Sequence, residues 1–106
     1  MKLYILILDD VPLGHAINAA AHGSLMSYKA WEGIPEYDEW YHESFKKVTC
    51  KVNQKELDKA MSVPEQVHCR IITESSLDNR IVGAVFCPIS KDKEYPNCFK
   101  YFRLYK

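Results

Sequence analysis

The run Lys2-Leu3-Tyr4-Ile5-Leu6-Ile7-Leu8 constrains this chain more than any other segment. Leu3, Ile5 and Ile7 fall on one alternating face, and Tyr4, Leu6 and Leu8 on the other. A strand apolar on both faces has to be covered on both, so it belongs inside a sheet flanked by helices. The run stops at Asp9 and Asp10. It is too short for a signal peptide and far from the ~20 apolar residues of a membrane span. The expectation is a cytoplasmic chain with no membrane contact. In the turn Asp9–Gly14, Pro12 cannot continue a sheet ladder, and Gly14 tolerates unusual backbone angles.

The period then changes. Over residues 14–30, Ile17, Ala20 or Ala21, Ser24 or Leu25, and Tyr28 recur at helical spacing. Ala16, Ala19, Ala20 and Ala21 favour a helix, and their size lets it lie close to a sheet. The next segment, Trp31 to Glu43, holds five acids, four aromatics and neither Lys nor Arg. Gly33 and Pro35 break the first helix. A short second helix from about Pro35 to Ser44 follows, since Pro is accepted in a first turn. Its alternative is an ordered loop over a site.

Lys46–Val52 alternates as a half-exposed strand near an edge, with Val48, Cys50 and Val52 on one side. Asn53 and Glu56 form a capping box for a helix over Gln54–Met61. Val67–Thr73 reads as a third strand, Glu74–Asn79 as a polar turn, and Arg80–Cys87 as a fourth strand beside the first. Phe99–Tyr105 is a closing strand or a packed tail. The order β-α-(α)-β-α-β-β predicts a three-layer α/β/α sandwich. Its mixed sheet has four strands, or five if the tail joins. Residues 1–106 form one domain.

Fourteen basic and fourteen acidic side chains give zero formal net charge. That argues against a dedicated nucleic-acid binder, which needs a basic surplus, and leaves only a local patch. The four cysteines contain no Cys-x-x-Cys, and three of them fall in predicted strands, where they read as small buried hydrophobes. No metal or other cofactor is expected.

Ligands of open α/β sheets gather outside the carboxyl ends of the strands. The Asp9–Gly14 turn and the start of the first helix lie there. His15, Asn18 and His22 follow at i, i+3 and i+7 on one helix face. A neutral imidazole in that first turn serves as a general base or hydrogen-bond partner. A solvated polar stripe is the plain alternative. With no third ligand in the pattern, zinc is disfavoured. Asp9 and Asp10 either cap the helix or fix the turn.

The run Gly14-His15-Ala16-Ile17-Asn18-Ala19-Ala20-Ala21-His22-Gly23 resembles the turn and helix of type 2 peptidyl-tRNA hydrolases. In that family a Gly-Lys opens a helix of the form Ala-Ala-Gln-x-x-His-Ala. Gly14 and His22 match it. A closer likeness is to a branch of the same fold, without an assigned activity, that carries Leu-Pro-x-Gly-x-x-x-Asn-Ala-Ala-Ala; Val11–Ala21 follows this almost throughout. Val82–Pro88 is similar to the last strand of the fold. In place of the family's catalytic Lys stands His15, and Ala19 replaces its helical Gln. Its Asp-Ala-Gly-Arg-Thr turn becomes Glu74–Arg80, with Glu74 nearest the Asp.

The resemblance implies a diverged ester hydrolase acting on peptidyl-tRNA or a related small substrate. His15, Glu74 and Asp10 would be its catalytic groups; Gly14, Asn18, His22 and Arg80 would bind substrate. Lys46, Lys47, Lys51, Lys100, Arg103 and Lys106 would supply a basic surface. The competing reading is a non-catalytic binding module. It would use the same cleft, or segment 31–43 docking through Trp40 and Tyr41. The half-exposed strand leaves a homodimer open.

Overall fold

The computed structural model describes residues 1–62 and 68–106. The doubly apolar run forms β1 (Leu3–Leu8), followed by helices α1 (Leu13–Trp31) and α2 (Pro35–His42). Then come β2 (Lys47–Val52), α3 (Gln54–Met61), β3 (Cys69–Glu74), β4 (Arg80–Phe86) and the two-residue β5 (Arg103–Leu104). The protein is mixed α/β, with a five-stranded mixed sheet ordered β3-β4-β1-β2-β5. β1 lies parallel to β2 and antiparallel to β4, and β3 is antiparallel to β4. β1 and β4 are thus central neighbours, as their two-faced apolar sequences require. The predicted third strand starts two residues later than expected; its first residue, Val67, lies outside the described residues.

One sheet face is covered by α1. Its buried residues are Ala16, Ala19, Gly23, Ser27 and Trp31. A Cβ on Gly23 would come within 2.8 Å of Ile72 Cδ1. Only small side chains permit so close an approach. This corrects the face suggested by helical spacing: Ile17 is 62% exposed and Leu25 72%. The larger apolar residues point outward because there is no room for them inward.

Gly14 also differs from expectation. It is the second residue of α1 and is not among the positive-φ residues, so the helix asks nothing of its conformational freedom. No aspartate caps this helix; Pro12 occupies the N-cap without a side-chain bond. α3, by contrast, has the capping box read from Asn53 and Glu56, with both reciprocal bonds made at 2.8 and 2.9 Å.

On the opposite face lie Tyr4 with Phe86, paired in register, and Phe99 packs 5.1 Å from each ring. α3 adjoins β1, β2 and β4 and buries Leu57 and Ala60. The tail does not run as one strand. Asn97–Tyr101 is a 3₁₀ turn, and only Arg103–Leu104 pairs with β2. That short pairing makes β3, not β2, the long edge strand.

The aromatics of segment 31–43 serve the core. Trp31, Tyr37 and Trp40 are buried, and Trp40 Nε1 donates to the Lys46 carbonyl at 2.8 Å, tying α2 to the start of β2. Trp40 therefore offers nothing to a docking partner, although Tyr41 remains exposed. Trp40→Phe replaces the indole with a smaller phenyl ring, removing the donor and leaving a buried void. It should lower the unfolding free energy by about 2–4 kcal/mol, measured by urea titration.

All four cysteines are free thiols. Burial raises Cys50 and pushes Cys87 up to about 12, which suits inert packing groups rather than nucleophiles.

Candidate functional site

The pairing directions bring the carboxyl ends of β1, β2 and β3 and the start of β4 to one end of the sheet. The N-terminus of α1 stands over the same end. Alternation along β3 places Ile72 and Glu74 on the α1 side, and both are buried. Glu74 is 6% exposed. It ends β3, where the sequence pattern had placed the first residue of a turn.

Four side chains meet there. Ser76, in the 3₁₀ turn Ser75–Leu77, donates its hydroxyl to Glu74 Oε1 at 2.9 Å. The Ser76 amide also bonds that oxygen, at 3.4 Å. His15 Nδ1 lies 3.1 Å from Ser76 Oγ. His22 Nε2 lies 3.8 Å from the other carboxylate oxygen, Oε2. Oε2 is buried and, among the described residues, accepts no hydrogen bond. His15 and His22, two turns apart on α1, thus flank one buried acid from β3.

The Ser76 hydroxyl and amide hold Glu74's carboxyl below its ordinary range, with help from His22 and His15. An ionised carboxylate only accepts hydrogen bonds. The Ser76 proton is therefore committed to Glu74, and Ser76 Oγ accepts from His15 Nδ1–H. That tautomer leaves the lone pair on His15 Nε2, the atom free to take a proton. Ser76 orients the His15 imidazole and is not set up as a nucleophile, because in a Ser-His-acid triad the imidazole stands between the other two.

A depressed carboxylate has a definite stability signature. Glu74's contribution is fully present above its unfolded value, close to the ordinary 4.5, and is lost as pH falls through the lower folded value. Glu74→Gln should flatten the acid limb of stability below that pH, read from thermal midpoints at stepped pH. An unchanged acid limb in the variant would contradict this electrostatic account.

The other sequence-derived residues sit nearby in different roles. Arg80 opposes Glu74 in the β3–β4 ladder, but its guanidinium donates to Asp10 Oδ1 at 2.5 Å. Asp9 pairs with Arg103 at 3.5 Å. Both aspartates therefore fix the turn after β1, and Asp10 stands outside the His15–Ser76–Glu74 chain. Asn18 is exposed on the same α1 stripe as the histidines, and Gly14 is exposed just before His15. Among the described residues, no group of three His, Cys, Asp or Glu side chains is arranged to hold a metal.

The sequence reading missed Ser76. Its one local signal was a Ser-Ser pair directly after an acid at a strand end, the composition of a side-chain-bonded turn.

The predicted basic surface does not gather at this cluster. Lys47 lies over the Phe45 ring at 3.1 Å, and Lys51 lies 4.6 Å from the Tyr105 ring. Lys100 pairs with Glu94. A groove of about 750 Å³ does adjoin the cluster. It runs from His22 past Leu25, Met26 and Lys29 to Glu32, with Thr73 and Ser75 along its other side.

No protein-family model matches the sequence, and no curated protein matches it.

Proposed function

We propose that this protein is an ester hydrolase on a type 2 peptidyl-tRNA hydrolase-like fold, acting on peptidyl-tRNA or a related peptidyl or aminoacyl ester. The observation that carries the reading is the His15–Ser76–Glu74 chain, which fixes one imidazole tautomer two turns of α1 from His22, where an open groove begins. His15 Nε2 takes a proton from water as the water oxygen adds to the ester carbonyl carbon. The tetrahedral oxyanion receives the Asn18 amide from the same helix stripe. As the intermediate collapses, the carbon–oxygen bond to the alcohol breaks, and His15 returns its proton to the leaving oxygen. His22 faces Glu74 and lines one end of the groove. Arg80, ion-paired with Asp10 and opposite Glu74 in the ladder, offers a cation to the anionic side of the substrate.

A Lys at position 15 would act through its fixed charge. A tautomer-locked His acts through its lone pair, so the replacement changes the mode of catalysis rather than removing the catalytic group. The second reading, a binding module on this cleft, is favoured by the groove alone.

The test is turnover of peptidyl-tRNA by the purified protein between about pH 6 and 8, a range that brackets the reference imidazole pKa near 6.5. Hydrolysis that disappears in His15→Ala supports the proposal. Absence of turnover across the whole range overturns it and leaves the binding module.

A further inference from the structure

We infer that the groove between α1 and β3 receives an extended peptide of about four or five residues, laid along the outer edge of β3 as an added strand. In the ester-hydrolase reading, on which this assignment of the reacting end rests, the peptide is the acyl part of the substrate.

β3 is the last strand of the sheet, and β4 takes its inner edge. Among the described residues no strand takes its outer edge. Such an edge presents backbone donors and acceptors at the spacing of another strand, the basis of peptide recognition by strand addition. Arg70 donates to the Cys69 carbonyl and closes the edge at that end. The remainder, Ile71 to Glu74, is four residues long.

The groove beside this edge has unlike walls. Leu25, Met26 and Tyr28 offer apolar contact from α1, while Thr73 and Ser75 offer polar groups from the β3 side. An extended peptide matches both, with side chains toward the helix and backbone toward the strand. The length agrees as well. From His22 to Glu32 the helix rises by roughly 15 Å at ~1.5 Å per residue. At ~3.3 Å per residue, that distance takes between about four and five extended residues.

Charge sets the direction. Glu32, at the far end, pairs with no cation among the described residues and answers a terminal ammonium. Lys29, one turn nearer the cluster, answers a carbonyl or an acidic side chain. With its amino end at Glu32, the peptide carries its carboxyl end to His22, the histidine that lines the groove. It then runs parallel to β3, with its reacting carbonyl at the His22 end, two turns of α1 from His15.

The experiment uses a five-residue apolar peptide with a free amino terminus and a C-terminal primary amide, titrated into ¹⁵N-labelled full chain. An amide in place of the ester separates binding from turnover, so failure of this inference and failure of the hydrolase reading are read independently. Backbone shifts should concentrate in residues 71–74 and along 22–32. Acetylating the amino terminus should weaken binding up to about fivefold, the range of an exposed ion pair. Leu25→Lys, at an exposed position where folding is unaffected, should weaken it by about tenfold or more through lost apolar contact. Any of three results overturns the inference: shifts absent or confined elsewhere, affinity unchanged in Leu25→Lys, or β3 amides already protected in peptide-free protein by a second copy of the chain.

Discussion

Gly83→Ala is expected to remove more than about 4 kcal/mol of stability, a loss in the exceptional range for one substitution. A Cβ at this position would stand 2.0 Å from the Leu6 carbonyl oxygen and 3.2 Å from Ile7 Cα. Both obstacles are backbone atoms of β1, so no rotamer change relieves the overlap. The two central strands would have to separate. The ladder between β3 and β4 is irregular at this point: Ile72 opposes Gly83 while Thr73 opposes Ile81, leaving Val82 as an extra residue on β4. The bulge brings the β4 backbone close to β1, and glycine is the residue that fits. A domain of this size has about 5–15 kcal/mol in total, so the variant should be largely unfolded or recovered only in inclusion bodies. A urea midpoint equal to that of the native chain would refute the close-approach argument. Gly14→Ala is the control, because nothing lies within 4 Å of a Cβ there.

The second large effect is on activity. His15→Ala should lower the turnover of a peptidyl ester by about 10²–10⁴, the usual contribution of a positioned general base. Its stability should change by less than ~0.5 kcal/mol, because the side chain is outside the core. Ser76→Ala separates orientation from proton transfer. It keeps the imidazole and removes the partner that fixes its tautomer, so kcat should fall by a smaller factor, about tenfold, as with partners of metal-bound imidazoles. KM should be little changed, since Ser76 touches His15 and Glu74 rather than the groove. Full turnover in His15→Ala would remove the base from the mechanism.

The two histidines of the candidate site were legible in the sequence. His15 and His22 lie on one continuous helix, so spacing alone puts them on one face. Glu74 was reached only through resemblance, because its distance along the chain from His22 carries no local pattern. Its meeting with the histidines depends on β3 lying at the edge of the sheet, under α1, with its odd and even residues facing opposite ways. The meeting of Ser76 with His15 was hidden for the same reason, although its Ser-Ser turn was a local signal. Its role exists only because the turn after β3 returns toward the first turn of α1.

The buried face of α1 shows where periodicity misleads. Large apolar residues at helical spacing ordinarily mark the inward side. Here Ala16, Ala19 and Gly23 are inward, and Ile17 and Leu25 are outward. Volume decided the matter: the sheet beneath α1 comes so near that Ile72 Cδ1 almost fills the space of a Gly23 Cβ.

The sequence by itself determined what depends on neighbours along the chain. It set β1 as a strand buried on both faces, β4 as its companion, the capped start of α3 and the histidine stripe, because alternation, helical spacing and capping act within a few residues. Only the tertiary structure decided which face of α1 is buried, that β3 is the long edge, that Asp10 belongs to Arg80, and that Glu74 and Ser76 join His15. Those outcomes follow from strand order, packing distance and the pairing of charges, which arise between segments far apart in the chain.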